Sequence, residues 1–183
     1  MRLNSLLAAG AVVVAAAVGG IGTAHAQFPP YGSASGPNFF ITYANTGFST
    51  TLGDPTPYDG IEDQYVGVIN NSSKTLFSFN LTGSFNFGFD GDGIDTYGAP
   101  GNAVDTTGYG GPLTYFTNID TTTYDSGTVN FIGGLAAGAT TYFSLEEPAS
   151  INTVITPTPE PASLALLAAG LLGLGAARRR RSA

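Results

Sequence analysis

Lys74–Asp90 reads KTLFSFNLTGSFNFGFD, and its alternation decides the fold. Phe77, Phe79, Leu81, Phe85, Phe87 and Phe89 fall on odd positions, with Ser78, Asn80, Thr82, Ser84 and Asn86 between them. A period of two puts one face in a core and the other in water, as in a strand of an antiparallel sheet. Thr75–Phe89 is 15 residues, longer than an ordinary strand, so Gly83 is expected to mark a bulge or bend.

Working outward, further strands are expected at Asn38–Ala44, Asp63–Ile69, Leu113–Ile119, Thr128–Ile132 and Thr140–Leu145. Turns rich in Gly, Pro and Asp separate them, and neither an amphipathic helix nor an internal repeat is seen. The expected fold is all-β: an antiparallel β-sandwich of Ig-like or jelly-roll topology. It spans residues 27–155, flanked by a signal helix at residues 1–26 and a C-terminal segment, 156–183, with a transmembrane helix. Asn70-Asn71-Ser72-Ser73-Lys74 predicts a hairpin between Asp63–Ile69 and Thr75–Phe89. Opposite that loop, the stretches GDPTPYDGIED and DGDGID are then expected to converge, gathering Asp59, Glu62, Asp63, Asp90, Asp92 and Asp95.

The N-terminus has Arg2, an apolar run from Leu6 to Ile21, and Ala24-His25-Ala26. These are the parts of a secretory signal peptide, cut between Ala26 and Gln27 after passage through the Sec machinery. Its removal takes away the only histidine, His25, and the chain has no cysteine. Ser-His-Asp and Cys-His catalysis, His/Cys zinc sites and disulfides are thereby excluded from the mature chain. Between Gln27 and Thr158, Lys74 stands alone against twelve acids, a net charge of −11. Such a surface repels phosphate backbones, which excludes nucleic acid, and it attracts divalent cations.

The tail reads TPTPEPASLALLAAGLLGLGAARRRRSA. Ala162–Ala177 is uncharged, and sixteen helical residues reach roughly 24 Å, just enough to span a membrane. Arg178, Arg179, Arg180 and Arg181 should stop it on the cytoplasmic side. Pro157, Pro159 and Pro161 keep the preceding segment extended, a form that a processing enzyme can grip. Pro159-Glu160-Pro161, an apolar helix and an Arg cluster, in that order, resemble the PEP-CTERM sorting signal. The resemblance implies recognition by an exosortase, a membrane transpeptidase-like enzyme of Gram-negative bacteria that often build exopolysaccharide. It also implies loss of the helix, then release or attachment at the cell surface. The same tail is sometimes labelled an ice-binding protein C-terminal domain, a name for the address and not for an ice-binding face. Asp54-Pro-Thr-Pro-Tyr-Asp-Gly, Gly67-Val-Ile-Asn-Asn and Phe89-Asp-Gly-Asp-Gly-Ile together resemble central modules of other exported PEP-CTERM proteins, to which no activity attaches.

Three chemistries compete for the acids. Asp90-Gly-Asp92-Gly-Ile-Asp95 resembles a calcium loop, since hard cations want several oxygens on a tightly turning backbone. It is no EF-hand, because the twelfth position from Asp90 is Gly101, where a bidentate Glu is needed. An ordinary solvated Asp-Gly turn has the same composition. Calcium is the one cofactor suggested, and none is required. A carboxyl pair could hydrolyse a glycosidic bond, but no spacing selects one and the chain has no Trp as a sugar platform. Thr121-Thr122-Thr123 and Thr140-Thr141 lack the regular repeat of an ice-facing array. The reading is a non-enzymatic surface or matrix protein associated with polysaccharide. A calcium-dependent carbohydrate-binding or adhesive module and a carboxylate glycosidase are its alternatives.

Overall fold

The computed structural model describes residues 28–148, 154–157 and 170–172. The signal-peptide positions Ala24, Ala26 and Gln27 lie outside these residues, as do Pro159, Glu160, Pro161 and Arg178 to Arg181. The expected membrane span, 162–177, is described only at 170–172, which are helical. Among the described residues, no helix is long and apolar enough to cross a membrane.

Among the described residues, eight strands form two sheets: β1 (Phe39–Ala44), β2 (Gly47–Leu52), β3 (Gln64–Asn70), β4 (Leu76–Thr82), β5 (Thr114–Thr117), β6 (Ser126–Leu135), β7 (Thr140–Leu145) and β8 (Val154–Pro157). One sheet runs β2-β1-β3-β7 and the other β5-β6-β4-β8. Their facing sides interleave Phe39, Ile41, Val66, Val68 and Phe143 from the first with Phe79, Leu81, Val129 and Phe131 from the second. This is the expected all-β sandwich.

It is not wholly antiparallel. β1 and β3 run parallel, with Phe39 opposite Val66 and Tyr43 opposite Asn70. Nor do β3 and β4 form a hairpin: they lie in different sheets, and 71–75 is an arch between the layers. Asn70 holds it there. Its buried amide donates to the carbonyls of Lys74 and Leu135, each at 2.8 Å, while Ser72 Oγ donates to Asn70 Oδ1 at 2.7 Å. These bonds stitch the end of one sheet to the start of β4 and the end of β6.

The long strand of the opening stretch is also shorter than its alternation suggests. β4 ends at Thr82, and the chain turns at Gly83–Phe87, as Gly83 foretold. Phe85 takes φ 54° in this turn and is exposed, while Phe87 keeps its place in the core. At the other end a register shift between Leu76 and Ser78 turns Phe77 outward beside a buried Leu76. Asn86, expected on the wet face, is fully buried, and its Nδ2 donates to the carbonyl of Glu147 at 2.9 Å.

The first sheet is covered on its outer side too. Tyr65 and Tyr142 point away from the interlayer and pack with Ala34, Tyr58, Ile94 and Ala99. Tyr31 lies on both, its ring 5.6 Å from that of Tyr65 and 5.4 Å from that of Tyr142. The 3₁₀ turn Ile94–Tyr97 supplies part of this cover. Ile94 N donates to Ser144 Oγ of β7 at 3.2 Å and fixes the turn in place.

Candidate functional site

The pairing of β3 with β7 sets Gln64 opposite Leu145, so Asp63, just before β3, and Glu146, just after β7, lie side by side. The loop leaving β4 brings Asp92 to them. One carboxylate oxygen each from Asp63, Asp92 and Glu146 lies within 4.8 Å of the others. Asp63 and Glu146 are buried, and Asp92 is half-buried.

Two tyrosines close the cluster. Tyr58 donates a hydrogen bond to Asp63 Oδ2, and its hydroxyl lies 3.3 Å from Ser144 Oγ. Tyr109 is fully buried, and its ring stacks on Phe89 with centroids 4.4 Å apart. Its hydroxyl meets three carboxyls: Glu146 Oε2 at 2.6 Å, Asp92 Oδ1 at 2.7 Å and Asp90 Oδ1 at 3.2 Å. Gly93 permits the approach, since a Cβ there would stand 2.5 Å from Tyr109 Cδ2. A phenol has one hydrogen to give. Two of these three carboxyl oxygens therefore face the phenol oxygen's lone pairs, and each needs its own proton or a shared cation.

The electrostatics agree with that count. Burial pushes the Asp63 carboxyl up to about 8 against the Tyr58 hydrogen bond, with the charges of Asp92 and Glu146 adding to it. Glu146 is raised by burial in the same way. Tyr109 and Tyr58 are raised beyond the ordinary phenol range, first by burial and then by hydrogen bonds to carboxylates. The only base of the sandwich, Lys74, sits in the arch at the far end of β3.

Of the six acids expected to converge, the structure thus joins Asp63 and Asp92, with Asp90 on the rim through Tyr109. Asp59 folds back on its own turn, Oδ1 accepting from the amides of Ile61 and Asp63, each at 3.0 Å. Glu62 is exposed. Asp95 turns aside to accept from Gly111 N at 3.1 Å, and burial there raises it to about 6. Sequence reasoning misses Glu146, Tyr58, Tyr109 and Ser144. Glu146 is accessible to it in principle, because an antiparallel Asp63–Ile69/Thr140–Leu145 pair places it beside Asp63. The convergence survives the loss of the hairpin because an arch reverses the chain as a hairpin does.

The arrangement offers a cation three carboxylates and a hydroxyl in a partly closed end of the sandwich, the oxygen-rich set that calcium prefers. A small cleft of about 210 Å³ lined by Asn38, Asp54, Glu62 and Asp63 opens beside it.

At the other extreme of the chain, β8 pairs antiparallel with β4, Pro157 opposite Phe79. Residues 157–181 match the family model of the PEP-CTERM protein-sorting motif. That motif indicates an exported protein sorted by an exosortase, with processing at a membrane and then passage to the surface. No curated protein and no solved structure matches the chain.

Proposed function

We propose that this chain is a non-enzymatic cell-surface or extracellular-matrix protein of a Gram-negative bacterium, whose β-sandwich is the cargo and whose tail is the address. The signal peptide is removed after Sec export, the apolar helix holds the precursor in the inner membrane, and the exosortase severs it near Pro159-Glu160-Pro161. The sandwich then associates with envelope polysaccharide. The observation that carries this reading is continuity: β8 ends at Pro157, the first residue of the matched motif. The folded cargo is therefore joined to the motif without an intervening linker. Fractionation of the native host tests it. Intact protein should reach the envelope or medium, and a version lacking 158–183 should be distributed differently; identical distributions would refute the sorting role.

A second reading concerns the acidic end. The convergence of Asp63, Asp92 and Glu146 within 4.8 Å, with no basic residue among the described ones there, favours a bound calcium ion held by these three with Asp90 nearby. Such an ion would be structural, tying the loop that carries Asp92 to β3 and β7. Calorimetric titration of calcium into the full-length protein checks this directly, and absence of both heat and a melting shift would remove it.

A further inference from the structure

The two sheets differ in what lies on their outer sides. Tyrosines and the 3₁₀ turn cover the first, whereas the outer side of β5-β6-β4 carries a groove of about 580 Å³. That volume falls in the range of ligand sites, roughly 300–1,000 Å³. Strand register sets two rows of side chains across it. Tyr115, Asn130 and Ser78 form one, and Thr117, Thr128 and Asn80 form the other, which Thr156 of β8 extends.

The rows are held by their own hydrogen bonds. Asn130 Nδ2 donates to Thr117 Oγ1 at 2.9 Å, Thr128 Oγ1 donates to Asn80 Oδ1 at 2.8 Å, and Asn118 Nδ2 donates to Thr128 Oγ1 at 3.2 Å. Fixed in this way, the amides keep unused groups among the described residues: the nitrogen of Asn80 and the oxygens of Asn118 and Asn130. Three aromatic residues line the groove: Phe131 is buried, whereas Tyr115 and Phe77 offer accessible rings, and Phe77 is 37 % exposed. Gly134 makes room for the Phe77 ring, since a Cβ there would lie 2.9 Å from Phe77 Cε1. No described residue lining the groove is charged, although the sandwich carries a net charge of −11.

We infer that this open face is a binding groove for a neutral polysaccharide chain. A sugar hydroxyl both donates and accepts, which matches a surface that offers amide nitrogens and carbonyl oxygens together. The C–H face of a pyranose is apolar and lies well on Tyr or Phe. Strands about 4.8 Å apart present such groups at close to the length of one sugar ring. Anionic glycans find no cation in the groove to pair with and meet the acidic surface around it. A protein partner would want a larger apolar centre than two rings. The inference deepens the surface-protein reading by naming the face and the glycan class, and it does not involve the acidic cluster.

Native-gel affinity electrophoresis of the processed protein from its host tests it, using dextran, mannan and xylan as neutral probes and alginate as the anionic one, with and without EDTA. At least one neutral glycan should retard the protein, equally in EDTA. Asn130→Ala and Tyr115→Ala should each weaken that retardation by about tenfold. Thr140→Ala, on the outer side of the other sheet, should leave it unchanged. If Asn130→Ala lowers the melting temperature, Asn80→Ala, on the same face, carries the same test. The inference is overturned by retardation in alginate alone, by no retardation in any neutral glycan, or by full retardation of the variants. It is also overturned by a concentration-dependent dimer that Tyr115→Ala disrupts in the absence of glycan binding. Normal trimming of the tail without glycan retardation would leave the sorting role standing and remove only this groove.

Discussion

The interlayer and the acidic end are made from the same strands, and they solve opposite problems. Phe79 and Phe143 fill the interlayer with side chains whose burial stabilises the fold at any pH. A few residues along, Asp63 and Glu146 bury carboxyls that stabilise nothing unless a proton or cation accompanies them. The contrast shows that one β3–β7 pair can be the firm centre of the molecule at Val66 and its adjustable margin at Asp63.

The contrast breaks most severely in the centre. Phe79→Ala should cost about 3–5 kcal/mol, read as a shift in urea midpoint that does not change between acid and neutral pH. The arch comes next. Asn70→Ala strands the carbonyls of Lys74 and Leu135 and should cost about 1–3 kcal/mol, again by urea denaturation.

At the acidic end the effect depends on conditions. The Asp63 carboxyl is raised from 3.8 to about 8, so the folded state holds a proton that the unfolded state has released. Its contribution is present in full below the unfolded value and is lost as pH rises through about 8. In EDTA the melting temperature should therefore fall across that window, with Asp95, raised to about 6, contributing to the same slope. Calcium should restore much of the loss at the alkaline end and little at the acid end, where protons already occupy the carboxyls. A melting temperature flat with pH in EDTA would contradict the account of this site. The smallest effect is the sharpest. Glu146→Gln keeps the shape but removes one charge that burial disfavours, so it should raise the melting temperature slightly in EDTA at alkaline pH and abolish the calcium response. A Glu146→Gln protein that still responds fully to calcium would place the ion elsewhere.

How much of this was legible in the sequence follows the range of the interactions. The β4 alternation from Ser78 to Thr82 is local, and it read true. Its continuation as one strand to Phe89 did not, because the chain turns after Thr82 and the positive φ of Phe85 leaves that ring exposed, although Phe87 and Phe89 still pack on the core as the alternation expects. β2, with exposed Thr51 and Leu52, lies at a sheet edge and has little apolar pattern to betray it. Whether Asn70 starts a hairpin or an arch depends on Leu135, 65 residues away. The parallel β1–β3 pair and the Asp63–Glu146 meeting are non-local in the same sense. Asp63, Asp90 and Asp92 are legible because reversal of the chain, whichever way it is made, returns both loops to one end; Asp59 and Asp95 are turned aside by backbone amides and Glu62 faces solvent, which that reversal does not decide.

The central claim is that the folded sandwich is carried to the surface on a tail that is then cut away. Intact-mass measurement of the protein harvested from its own host tests it most directly. The account predicts a chain that starts at Gln27 and has lost Arg178 to Arg181 together with the preceding apolar segment. A population in which every molecule ends at Ala183 would contradict it.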